Sequence, residues 1–253
     1  LQNDTFYTVS IGKHIVDTGT IDMQDPFSWH ENLKYTYPHW LYDVLMYLIY
    51  NWGGWDAIYI STIVLSCILG ITIYLTNTKI CKDNLISFIL TIGVIYECKP
   101  YIAARAQLVT FILFVLTIYF IERFLENRKM KYAVFLVIIS TLIANLHVAV
   151  WPFFFVLFLP YIAEYLICII VDANLPIKIR IIWNRLLSRI FKKNAEKLDN
   201  INEEILELQE KDKRIKIARE ENRKNPYKLK IEKNKNVKFL IIICLVCTLT
   251  GLL

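Results

Sequence analysis

Apolar residues in this chain come in long unbroken runs rather than in the one-sided stripes of a water-soluble helix. The runs over residues 55–75, 84–97, 107–121, 132–146 and 151–171 each predict a membrane-spanning helix, and a sixth opens at 237–253. About 20 apolar residues suffice to cross the hydrocarbon core. The run at 84–97 is short and needs a tilt or its flanks to cross. The tight turn at His147 makes the fourth and fifth runs an antiparallel hairpin. Two stretches break this pattern, residues 1–54 and residues 172–236.

Residues 1–54 are polar, acidic and dense in aromatics. Asp4 reads as the N-cap of a helix over 5–16, and Gly19 closes it. Asp25-Pro26 marks a turn. A second helix follows Tyr37-Pro38 and carries Trp40, Leu41, Val44, Leu45, Leu48 and Ile49, with Gly53-Gly54 as the hinge into the next span. Dense Trp and Tyr fit two helices lying at a membrane interface. Residues 172–236 begin with Ile179, Ile182, Leu186 and Ile190 at helical spacing, with Arg180, Arg185, Arg189 and Lys193 on other faces. That pattern predicts a helix lying on anionic lipid headgroups. Leu198, Ile201, Ile205, Leu208 and Ile215 then follow a 3-4 spacing, supported by Glu207 with Lys211 and Glu210 with Arg214. A solvated helical hairpin ended by Asn225-Pro226 is the reading.

The 253 residues are 56% hydrophobic and 14% aromatic, with mean hydropathy +0.41, which excludes an ordinary soluble domain. The fold class is an all-α polytopic membrane helix bundle. Four parts follow: an extracytoplasmic loop with interfacial helices (1–54), a transmembrane bundle of about five spans (55–171), a basic cytoplasmic helical insert (172–236) and the start of a further span (237–253). Lys79, Lys82, Arg123, Arg128, Lys129 and Lys131 lie in connections that fall on one side when the spans alternate, together with the insert. That side is cytoplasmic by the positive-inside bias, so residues 1–54 face outward. The net charge of +6 is then a loop effect and no sign of nucleic acid. Both termini fall abruptly, so the chain reads as a fragment with spans expected before Leu1 and after Leu253. Six cysteines give no disulfide framework; Cys81 and Cys98 flank one span and belong on opposite sides.

Asp4-Thr5-Phe6-Tyr7, a helix closed by glycine, Asp25-Pro26-Phe27-Ser28 and an aromatic helix ending in Gly53-Gly54 resemble the first outer loop of GT-C-fold membrane glycosyltransferases. Ala104-Arg105-Ala106-Gln107 opening a span and Ala144-Asn145-Leu146-His147 closing another add to the likeness. It is closest to bacterial relatives of the protein mannosyltransferases and covers residues 4 to about 165. The resemblance implies a bacterial plasma-membrane protein that takes a sugar from a polyprenyl-phosphate donor to an acceptor at the outer face. It implies an acidic catalytic residue early in the first outer loop, at Asp4, near a divalent metal (Mg or Mn) that Asp4 would hold. Where many relatives carry a second adjacent acid this chain has Thr5, and where nearer ones have Arg-Pro-Gln it has Arg105-Ala106-Gln107.

The chemistry needs a carboxylate to take the acceptor's proton and a cation to meet the departing phosphate. Asp4 is the candidate base as well as a helix cap. Asp25 is a second acid, with Asp22 and Glu31 behind it. Arg105, beside Lys99, suits bidentate phosphate contact, the alternative being a pair with Glu97. His39 and His147 belong near the outer surface. Glu164 lies inside a span, where an acid is a functional suspect. No Gly-rich phosphate loop, HExxH, zinc-spaced cysteine pairs or nucleophile elbow is present. The competing functions are a non-catalytic protein that binds lipid or partner subunits, and a transporter built around Glu164.

Overall fold

The computed structural model describes residues 3–21, 25–29, 34, 36–191, 195–221 and 225–251. Among them the regular elements are all helices. The chain divides into two compact units, residues 1–158 with 239–253, and residues 159–238.

In the first unit, α1 (Asn3–Thr18) packs against the start of α2 (Trp40–Cys81). Gly19 closes α1 at φ +66°, its N–H bonded to the Ile15 carbonyl at 2.9 Å. The expected cap is corrected here: Asp4 lies inside the first turn of α1, where its charge meets the positive end of the helix dipole. Ile11 and Ile15 of α1 pack with Tyr37, Trp40 and Val44. Gly12 makes this crossing possible. A Cβ there would lie 2.0 Å from the Asp43 carbonyl oxygen and 2.8 Å from Tyr47 Cβ.

The hinge in α2 falls where the sequence places it. Gly54 has φ 65° and ψ −153°, a region open almost only to glycine. Beyond it α2 runs beside α4 (Ala106–Asn127), burying Leu69 and Ile73 against Leu108 and Ile112. α3 (Asn84–Cys98) and α5 (Met130–Leu146) return the chain between the ends of the long helices. Lys82 and Arg128, both left-handed C-caps, form the tight turns at one end. There Lys79 donates to both carboxylate oxygens of Glu126 at 2.6 Å. Gln107 and His147 therefore belong to the opposite end.

The unit is apolar outside and has hydroxyls inside. Leu85, Ile86, Phe88, Ile89 and Ile92 of α3 are exposed, while Ser87 and Thr91 on the same helix are buried. Thr91, Thr110 and Thr117 return their hydroxyl protons to the carbonyl four residues back. Hydroxyls satisfied in this way let small residues pack between helices in lipid.

Three helical stretches are long and apolar enough to cross a membrane: Trp40–Cys81, Ala106–Asn127 and Val148–Asp172. Taking Pro226–Lys233 and Val237–Gly251 as one bent span makes four. By length and composition alone this is fewer than the about five spans and a sixth that the sequence leads one to expect. α3 and α5, with 15 and 17 residues, are helices at the expected places but too short by length alone. At 1.5 Å per residue each reaches roughly 22–26 Å, against a core of about 30 Å.

The fifth expected helix is broken into α6 (Trp151–Val156) and α7 (Leu159–Asp172). Pro160 has no N–H for the Val156 carbonyl, and its ring crowds the preceding turn.

The second unit holds α7, α8 (Leu175–Ile190), α9 (Ala195–Glu221) and α10 (Pro226–Lys233). α8 packs on α9, as a helical hairpin should, and α10 packs on α7. Glu210 and Arg214 form the expected pair at 3.0 Å. Asn225 does more than end the hairpin. Its side chain accepts the N–H groups of Tyr227 and Lys228 and so opens α10.

Replacing Gly12 by alanine should force α1 off α2. The expected loss is about 1–3 kcal/mol, the usual cost of overpacking. Gly93 is the control, because a Cβ there meets nothing within 4 Å. Gly93→Ala should leave stability unchanged or raise it by up to about 1 kcal/mol. Thermal unfolding in detergent compares the two; equal midpoints would show that the crossing is not tight.

Candidate functional site

Four local features bring distant residues together at the end of the first unit that holds the start of α4. The Val148 N–H donates to the Pro38 carbonyl at 2.9 Å, which sets His147 beside His39. Their rings stand 5.5 Å apart between centroids. The Thr5 hydroxyl reaches the Ala104 carbonyl at 3.4 Å, which brings the first turn of α1 to the start of α4. Arg105, in extended backbone at φ −136° and ψ 155°, precedes the first turn of α4. The close crossing at Gly12 holds the early part of α2 against α1.

The result is a cavity of about 400 Å³ lined by Asp4, Tyr7, Thr8, His39, Tyr42, Arg105, Ala106, Gln107 and His147. Four sequence candidates, Asp4, Arg105, His39 and His147, share this one space. The Arg105 guanidinium meets the Asp4 carboxylate at 2.5 Å, in place of the pair with Glu97 that sequence allowed. Asp4 is well exposed and Arg105 partly so, which keeps the pair open to exchange with an incoming anion. Arg105 Nε is buried without a hydrogen-bond partner, a donor not spent on Asp4.

His147 is buried, with Nδ1 3.3 Å from the Thr110 hydroxyl. That hydroxyl also lies 2.9 Å from the Ala106 carbonyl, which can only accept. The threonine proton goes to the carbonyl, so His147 donates from Nδ1 and keeps its lone pair on Nε2. Burial holds the imidazole below the ordinary histidine pKa, and the charge of His39 adds to the effect.

Sequence reasoning missed Asp43. It is only 3% exposed, one residue past the cavity-lining Tyr42. Its Oδ2 lies 3.5 Å from His39 Nδ1, and Thr8 is its other polar neighbour. The readable signal was the His39–Asp43 spacing of four on a helix, which stacks the two side chains on one face.

Other candidates fall elsewhere. Asp25 accepts the Phe27 N–H at 2.9 Å, the turn that Asp-Pro predicts, and is not among the residues lining the cavity. Lys99 is exposed in the 3-10 turn after α3 and does not line it either. Asp22 and Glu31 lie outside the described residues. Glu164 is 2.9 Å from Lys230, an ion pair within the second unit that answers its charge.

Among the described residues no three His, Cys, Asp or Glu side chains converge as metal ligands.

The pH dependence of His147 is a direct check. Its nitrogen NMR titration should fall below that of a free histidine, and His39→Gln should move it upward without restoring the ordinary value. An unchanged midpoint in that variant would show that the two rings do not sense each other. Because the folded pKa is depressed, the neutral ring's contribution to stability is present above the unfolded value of about 6.5 and lost as pH falls towards the folded one. What the cavity does must be read from its own geometry, since no family model, no curated protein and no solved structure matches this chain.

Proposed function

We propose that the protein is a membrane glycosyltransferase of GT-C type, moving a sugar from a polyprenyl-phosphate donor to an acceptor hydroxyl at the outer membrane face. The observation that carries this reading is the convergence of Asp4, Arg105, His39 and His147 on one cavity at the end of the bundle away from Lys79, Lys82 and Arg128. The likeness of the first 54 residues to the outer loop of such enzymes supports it. So does the choice of the basic end as cytoplasmic, which turns the cavity outward.

The reaction asks for one bond made and one broken. The acceptor oxygen attacks the anomeric carbon, and the bond from that carbon to the phosphate oxygen breaks with its electron pair on the phosphate. Arg105 meets that growing charge. In the resting site the guanidinium is occupied by Asp4. An arriving donor phosphate takes Asp4's place, and the released carboxylate accepts the acceptor's proton. Asp43 beside His39 is a positioning residue that holds the imidazole at the cavity wall.

A second reading is a non-catalytic protein that binds the same lipid phosphate. It is favoured by Thr5, which stands where a second acid would be and is buried against the Ala104 carbonyl.

Asp4→Asn separates the roles. It frees Arg105 from a competing charge, so binding of polyprenyl phosphate by the chain in nanodiscs should tighten. Transfer from radiolabelled polyprenyl-phosphate hexoses should drop by about 10²–10⁴, the usual worth of a positioned base. Arg105→Gln should weaken phosphate binding about tenfold or more, as expected for a lost charge-assisted bond. Unchanged turnover in Asp4→Asn would remove Asp4 from the mechanism. Phosphate binding that depends on Arg105, without turnover in the wild-type chain, would select the second reading.

A further inference from the structure

The second unit carries an apolar stripe that none of its described residues covers. Ile179, Ile182, Trp183, Leu186 and Ile190 of α8 are all strongly exposed, Trp183 at 60% and Ile190 at 72%. At 3.6 residues per turn these positions fall on one narrow face. The opposite face holds the buried Ile181 and Asn184 and is the side that packs on α9. α8 therefore has its partner helix already, and the stripe looks away from it. Arg185 and Arg189, both exposed, border the stripe on one flank, with Lys178 on the same side. Arg180, on the other flank, is paired with Glu204 at 2.6 Å and ties α8 to α9.

The chain also fixes where α8 begins. The apolar run Val148–Asp172 is long enough to cross a bilayer, and α8 starts at Leu175. Asn174 makes the turn in left-handed backbone (φ 49°), and its side chain donates to Asp212 of α9 at 2.8 Å. Arg219 of α9 donates to the carbonyls of Val171 and Asp172, both at 2.8 Å, and so finishes the end of α7. A helix that starts three residues past the end of a span starts in the headgroup layer. With Pro176 in its first turn and its own polar face occupied, α8 presents Ile, Leu and Trp with a border of cations.

We propose that α8 is a membrane-surface anchor. It lies in the plane of a leaflet, with Ile179, Ile182, Trp183, Leu186 and Ile190 in the acyl boundary and Arg185 and Arg189 on anionic phospholipid headgroups. The chemistry favours lipid over a protein groove. The stripe is aliphatic with one interfacial tryptophan, its border is cationic, and its position on the chain is at headgroup depth. α9 then rides on the cytoplasmic side of α8 and keeps the hairpin flat on the membrane. This inference is independent of the cavity chemistry of the first unit.

A photo-crosslinking amino acid placed at Leu186 tests it in the full chain, reconstituted in nanodiscs of phosphatidylcholine with or without phosphatidylglycerol. The control position is Glu203, exposed on α9. Leu186 should capture phospholipid in the anionic discs and Glu203 should not. Each cation near an anionic surface favours docking about fivefold, so Arg185→Gln with Arg189→Gln should lower lipid capture by up to about 25-fold. Three results would overturn the proposal: equal capture in neutral discs, equal capture at Leu186 and Glu203, or capture of a second copy of the chain instead of lipid. Both labelled positions are exposed, so neither label disturbs a packed core.

Discussion

A side chain of any size at Gly12 would collide with the backbone of Asp43, and the site is built on that lack of space. With hydrogen in place of a methyl group, α1 presses into the start of α2. Thr8 then faces Asp43, His39 is carried to the cavity wall, and Asp4 at the beginning of α1 comes within reach of Arg105. A wider crossing would separate the carboxylate from the guanidinium and open the space between the two histidines. The backbone bond from Val148 to Pro38 fixes the same geometry from the other side. It links a segment before α2 to one after α5, so the cavity is held by the bundle rather than by a loop.

The bilayer explains why charged side chains collect there. The outside of the first unit is rich in isoleucine, leucine and phenylalanine, and the interior hydroxyls of Thr91 and Thr117 are spent on their own helices. Ions are costly at the membrane midplane, so they gather where helices begin and end. One end carries Lys79 with Glu126, the other Asp4 with Arg105. The second comes with a polar cavity that two imidazoles line. Burial of His147, which disfavours its charged form, sets an imidazole beside the carboxylate in that cavity. Arg105 supplies the charge that a lipid phosphate would seek.

The second unit follows the same solvent rule in a different form. α9 is polar along most of its length and has no buried residue, whereas α8 shows strongly apolar side chains on the face turned from α9. Asn174, Asp212, Asp172, Arg219 and Asn225 hold the ends of these helices through side chains. Such polar knots are stable in water and costly in lipid, so they mark the boundary between the two.

The runs of apolar residues determined that this is a helical membrane protein, because hydrocarbon permits few other backbones to cross it. The hinge at Gly53-Gly54, the stop at Gly19, the turn at Asp25 and the hairpin of α8 and α9 were legible for local reasons: a positive φ, a side-chain bond to the next amide, a period of 3.6. Sequence also picked Asp4, Arg105, His39 and His147 one at a time. It could not show that they share one cavity, since that depends on three contacts between segments far apart in the chain. Nor could it rank Asp43, which looks like an ordinary interfacial acid until the crossing at Gly12 buries it. The break before Pro160 and the shortness of α3 and α5 were missed because an apolar run reports the solvent around a segment, whereas hydrogen bonds and turns decide how far one helix continues.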